Sequence, residues 1–317
     1  MAPTGHWPLV TGHDSSGMTP PTERYLDLAR PGRNAWWRYI LGALIISVSW
    51  LGLGLVPYAL VVRAGIFDSR LDFIAINCSI FVMLGGLAVT MKWLHRRPLL
   101  SLITPAPRID WRRMRRGALA WFAIAAVLSL IEFLLFRERF YLSFDAVRFA
   151  PFLLLVLLLT PLQAATEELV FRGYAMQAFA QLTRSPAMIA ILSSVVFTAP
   201  HLLNPEVQRH GVLLMAANYF AIGMLLATIA LRDGRLELAI GLHAANNMFL
   251  ALVVNYEESA LMTESIFTSR ELDPYFSLMA LIAGALAFHW WVFRSAAAGG
   301  VTRASHRGDD LHRRDLR

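Results

Sequence analysis

The chain has 317 residues, of which 56% are hydrophobic and only 16% charged, with a formal net charge of +7. Soluble domains are usually about 45–50% apolar and about 25% charged, so an ordinary soluble globule is excluded. The positive charge is almost all arginine clustered between apolar segments, with Lys92 the single lysine; that is the pattern of basic loops, and no nucleic-acid partner is expected.

In chain order, residues 1–35 are polar, lack the short apolar core of a cleaved signal peptide, and are expected to form a disordered cytoplasmic tail. Trp36 and Trp37 mark the interface at which the first span begins. Apolar windows of about 20 residues then predict an all-α, polytopic membrane protein with about eight transmembrane helices. They lie near 36–62, 72–94, 117–136, 149–182, 187–204, 212–231, 236–255 and 275–293. Cys78, the lone cysteine, lies within the second window and reads as a small buried apolar residue. The fourth window is too long for one perpendicular crossing, and Pro161 is the expected place for a bend. The integral domain is thus 36–293, followed by a basic tail at 294–317 whose residues from 298 are expected to be disordered.

Arginines crowd the loop from Lys92 to Arg116, flank residues 232–235 and fill the carboxy-terminal tail, whereas Glu257, Glu258 and Asp273 mark a loop on the other side. The positive-inside rule then puts both termini in the cytoplasm. The preference for arginine over lysine points to a high-GC bacterial source, hence an inner membrane.

Within these apolar segments, a few polar residues stand out. Glu167 and Glu168 follow a run of leucines, where a charge near the bilayer centre costs roughly 2.5–3.5 kcal/mol. Glu168 and Arg172 are four apart in the acid-first order that favours an ion pair, so they are expected to compensate each other structurally. Glu167 points about 100° away, on the face shared by Gln163 and Phe171, and has no opposite charge at its helical neighbours. It is the candidate general base, because burial brings a carboxyl closer to the working range of a base. The turn Thr183-Arg184-Ser185-Pro186 makes the fourth and fifth spans a hairpin. Glu167 and His201 lie 17 residues on either side of Arg184, so they are expected at equal depth, roughly 25 Å from the turn. A further span carries His243 and Asn247 at i, i+4. Neutral imidazoles bind a divalent metal or orient a water, and an asparagine amide donates to an oxyanion. His243 follows soon after Arg235, so for all these groups to meet, the hairpin is expected to project beyond the bilayer or tilt strongly.

Glu167-Glu168-x-x-x-Arg172, Phe197-x-x-x-His201 and His243-x-x-x-Asn247 resemble the three signatures of the CAAX protease and bacteriocin-processing (Abi) intramembrane proteases. The context is similar too: Phe171-Arg172-Gly173, Gly223, Asp233-Gly234-Arg235, Gly241-Leu-His243, and Pro98 to Pro105 upstream. The resemblance covers about 90–255, with a protease core around 148–255. It implies peptide-bond hydrolysis in the membrane near the cytoplasmic leaflet, with Glu167 activating water with help from His201, and His243 and Asn247 stabilising the oxyanion. It also implies a metal, zinc or another divalent ion, for which Glu167, His201 and His243 are the candidate ligands; a metal-free glutamate mechanism uses the same groups. The partners expected are a peptide or protein substrate and membrane lipid.

Two other readings compete. A non-catalytic scaffold or bacteriocin-immunity-type protein would keep the motifs as a buried polar network, and a proton relay or transporter would use intramembrane acids as a path. Several residues read as structural. Glu132 is expected near the outer interface, and His289 beside Trp290 and Trp291 is expected to be an anchor. Glu206 with His210 is a weak candidate for a loop metal site, and Asn218 is expected to bond a neighbouring helix.

Overall fold

A computed structural model describes residues 20–66, 68–257, 259–260 and 263–312, the last stretch from 295 onward by its backbone alone. The protein is an all-α, multi-pass membrane protein. Every one of the eight apolar windows forms a helix, and among the described residues six helices are long and apolar enough to cross a membrane. In chain order, with two short helices included, they are α1 (Pro21–Leu26), α2 (Trp36–Arg63), α3 (Ser69–His95), α4 (Leu100–Ile103), α5 (Trp111–Leu135) and α6 (Ala146–Phe179). There follow α7 (Pro186–His201), α8 (Pro205–His210), α9 (Val212–Asp233), α10 (Glu237–Leu252) and α11 (Pro274–His312).

Aspartates start many of these helices. Asp68, Asp110, Asp145 and Asp273 each sit one residue before a helix and accept two first-turn backbone amides, satisfying donors that have no intrahelical partner. Gly234, at φ +68°, closes α9, as a left-handed residue just past a helix end commonly does.

The fifth and seventh windows are the short ones. α7 and α10 each have 16 residues, about 24 Å at 1.5 Å per residue against a hydrocarbon core of about 30 Å. α10 is buried on all sides from Glu237 to Ala245, so it is the central post of the bundle and needs no lipid-facing length. Its closest approach is to α5. A β-carbon on Gly241 would collide with the Met114 carbonyl, and one on Gly117 with the Leu238 carbonyl, so both positions require glycine for the two backbones to touch. Lipid-sized apolar side chains such as Leu119, Leu134, Leu158 and Met279 point outward.

Four features depart from the sequence reading. Residues 20–35 are ordered rather than a loose tail: Tyr25, Leu26 and Ala29 are fully or almost fully buried against the bundle, and only residues 1–19 of the expected tail lie outside the described residues. The α11 backbone stays helical to His312, through residues read as disordered; no proline interrupts it and Ala296 to Ala298 are strong helix formers. The α-helix continues through Pro161 and becomes π-helical only at Leu169–Ala175, directly after the paired acids. Lastly, three short strands, β1 (Phe140–Leu142), β2 (Val254–Tyr256) and β3 (Phe267–Ser269), form a sheet with β3 in the middle. That sheet closes one end of the bundle. Residues 20–35 close the other: Thr22 donates to the Leu231 carbonyl, Arg97 to the Leu28 carbonyl, and Arg184 to Asp27. The excess length of α6 is therefore wrapped in the protein's own chain.

Candidate active site

Glu167 and Glu168 end the α-helical part of α6, and Arg172 lies in the π-helical turn that follows. Such one-turn insertions are frequent at functional sites. Glu168 and Arg172 are fully buried, and an Arg172 Nη donates to Glu168 Oε1 at 2.8 Å. The other Nη donates to the Gly223 carbonyl on α9 at 3.3 Å, and the guanidinium lies 4.2 Å from the centroid of the Phe197 ring on α7. One arginine thus ties three helices together.

Glu168 does more than the expected charge compensation. His243 Nδ1 lies 2.8 Å from Glu168 Oε1. A carboxylate accepts, so in the neutral imidazole Nδ1 carries the proton and Nε2 the lone pair. That Nε2 is 3.9 Å from Glu167 Oε2, while Glu167 Oε1 accepts from Gln163 Nε2 at 3.2 Å. His243 therefore stands between the two acids, bonded to one and facing the other. The close packing at Gly241, two residues earlier, is what lets α10 bring it there.

His201 is held by its own helix. Its Nδ1 donates to the Phe197 carbonyl at 2.7 Å, which leaves its Nε2 as the free acceptor. It lies within electrostatic reach of Glu167, His243 and Arg172, but the imidazole facing a Glu167 oxygen is His243. The hairpin that carries it is packed as expected. Phe171 meets Phe197 edge-on at 5.3 Å, and Ser193 donates to the Phe171 carbonyl. Asn247 is half-buried one turn beyond His243, and its side-chain oxygen accepts from Asn246, whose own oxygen accepts from Trp121. Its amide nitrogen is the group that faces an oxyanion in the sequence reading.

Histidines fixed through Nδ1 with Nε2 open have the chemistry of metal ligands. The grouping does not follow: among the described residues, no three His, Cys, Asp or Glu side chains form a set that could hold a metal ion. Glu167, His201 and His243 do not fit a metal as they stand.

Residues missed in the sequence complete the cluster. Tyr219 on α9 lies with its ring centroid 4.9 Å from that of His201, and is held by Glu206 and Asn204. Tyr25 in α1 donates to the Leu102 carbonyl at 2.7 Å and lies 3.1 Å from that of Arg172. Burial raises the Tyr25 phenol well above its ordinary value, with the Glu168 and Glu237 carboxylates adding to the effect, so it remains a donor. A proline opening α1, at Pro21, was the one signal of that helix in the sequence.

Apart from Tyr25, this cluster lies within a segment that has known counterparts. Residues 147–249 match the type II CAAX prenyl endopeptidase Rce1-like family. The Rce1-like segment runs from the first turn of α6 to Phe249 in α10, so it contains all three signatures and the helices that join them. The family resemblance carried by the motifs is thereby borne out. The chain is also 28% identical over 274 residues to the uncharacterized protein YyaK of Bacillus subtilis (strain 168), a match that spans 81% of this chain and 91% of that protein. No solved structure matches the chain.

Proposed function

We propose that this protein is an intramembrane endopeptidase that hydrolyses a peptide bond in a peptide or membrane-associated protein. The observation that carries the reading is the bridge made by His243, with Nδ1 on Glu168 at 2.8 Å and Nε2 3.9 Å from Glu167. A water accepted at Glu167 Oε2 also falls within reach of His243 Nε2, because atoms this far apart share hydrogen-bonding space. Glu167 takes the proton of that water as it attacks the scissile carbonyl, and delivers it to the leaving nitrogen. Glu168 fixes the tautomer and orientation of His243, the role a buried acid commonly plays behind a catalytic imidazole. The Asn247 amide supplies a donor to the developing oxyanion. Arg172 neutralises Glu168, so that only one of the adjacent acids is left for chemistry.

On this reading the protein sits in a bacterial inner membrane with both termini in the cytoplasm, surrounded by lipid. The test is a cleavage assay in proteoliposomes with a panel of membrane-spanning peptides, run with and without chelator and with Glu167→Gln as the control. Hydrolysis that Glu167→Gln reduces by at least about a thousandfold supports the reading; hydrolysis that survives the change ends it. Loss of activity on chelation that zinc restores would bring Glu167, His201 and His243 together as ligands. Activity indifferent to chelator would leave the glutamate mechanism alone.

A scaffold or immunity-type role is the second reading, favoured by how completely Arg172 is tied into three helices. It predicts that Glu167→Gln leaves the biological effect of the protein intact.

A further inference from the structure

Beside the catalytic cluster, toward the strand end of the bundle, is a cavity of about 290 Å³ between α5, α9, α10 and α11. Its wall is mostly apolar, with Leu128, Phe249 and Phe276 among the residues, and its charged lining is of one sign. Among the described residues, Glu132, Glu206 and Glu271 line it, and no Lys, Arg or His does. Glu271 is paired with Arg139 at 3.0 Å. Among the described residues, neither Glu132 nor Glu206 has an ion-pair partner.

Glu206 is 4% exposed. Its Oε1 accepts from the Tyr219 and Tyr256 hydroxyls at 2.5 and 3.3 Å, and its Oε2 is buried without a donor. On the same cavity, Asn218 is 8% exposed, and its side-chain oxygen is likewise buried without a donor. Two buried acceptors lacking donors in one cavity require an explanation, and a donor-bearing ligand supplies it. The cavity is joined to the cluster at two points. Tyr219 packs on His201, and Asn246 donates to Asn247.

We propose that this cavity takes a cationic, hydrogen-bond-donating group, an ammonium or guanidinium carried by the chain being cleaved close to the scissile bond. The proposal rests on the endopeptidase reading and names its substrate class. A lysine or arginine side chain lays its methylene stem along the apolar wall and places its charged head between Glu206 and Glu132. The volume, at the lower end of the roughly 300–1,000 Å³ usual for ligand sites, suits one such side chain. A segment that presents a carboxylate here meets like charge and is disfavoured.

The experiment measures binding separately from turnover. Full-length protein carrying Glu167→Gln, in phosphatidylcholine nanodiscs, is titrated with a fluorescent membrane-spanning peptide bearing lysine, and with the same peptide bearing norleucine. Lysine is expected to bind about tenfold more tightly, and adding Glu206→Gln and Glu132→Gln is expected to bring the ratio close to one. Equal binding of the two peptides overturns the proposal, as does a preference that persists without the two acids. Should Glu206→Gln fail to fold, Glu132→Gln alone is expected to lower the ratio, and an unchanged ratio counts against the site. A ratio abolished by phosphatidylethanolamine in the nanodisc assigns the cation to a lipid amine and overturns the peptide assignment. If the lysine preference holds but the wild-type protein cleaves neither peptide, the endopeptidase reading falls while the cation site stands.

Discussion

Glu168 and Glu206 are both buried carboxylates, at 0% and 4% exposure, one in the hairpin core and one at the strand end. Their partners are of opposite kinds. Glu168 shares one oxygen between a guanidinium and an imidazole, whereas among the described residues Glu206 is met by two phenol hydroxyls and a cavity. A buried acid whose charge is answered inside the protein becomes part of the framework. One held in place by neutral donors is left open to a partner from outside, as proposed for Glu206. Burial alone, or the mere presence of an acid in a membrane helix, does not separate these cases; the partners do.

The contrast can be broken most sharply at Glu168. Glu168→Gln strands the fully buried Arg172, and breaking such a pair costs about 3–5 kcal/mol. A large drop in the unfolding midpoint in detergent is expected; an unchanged midpoint would mean that the pair contributes nothing to the framework. Gly241→Ala attacks the same framework without touching a charge. The added methyl overpacks the α5–α10 contact at a cost of about 1–3 kcal/mol and shifts His243, so stability and turnover should fall together. Glu206→Gln keeps oxygen acceptors for the tyrosines and exchanges charge-assisted bonds for neutral ones, a loss of about 1 kcal/mol. A loss as large as that of Glu168→Gln would erase the distinction between the two acids. Smallest is Tyr25→Phe, which removes one buried hydrogen bond worth about 0.5–1.5 kcal/mol. The same detergent melt checks it, and an unchanged midpoint would place the amino-terminal helix outside the framework.

Much of this was legible from the order of the residues. The three signatures name Glu167, Glu168, Arg172, His201, His243 and Asn247, and the apolar windows find every long helix because lipid imposes length and hydropathy together. Window hydropathy could not show that α10 is an internal post, since a helix buried in protein and one facing lipid are apolar for the same physical reason. The contact between Glu168 and His243 joins residues 75 positions apart, and local spacing says nothing about it. Equal distance from Arg184 correctly packs α6 on α7 and brings His201 within electrostatic reach of Glu167, but it gives no sign that His243 also faces a Glu167 oxygen. Tyr25 was hidden in a polar stretch whose order comes from tertiary contacts alone. The three-residue strands are too short to leave a periodic signal.

The central claim is a division of labour between adjacent acids: Glu168 holds the site together and Glu167 does the chemistry. The most direct measurement sets Glu167→Gln beside Glu168→Gln in one preparation, reading peptide cleavage and unfolding midpoint for each. The account predicts that Glu167→Gln abolishes cleavage with the midpoint within about 1 kcal/mol of wild type, whereas Glu168→Gln lowers both. Equal destabilisation by the two changes, or cleavage retained by Glu167→Gln, would contradict it.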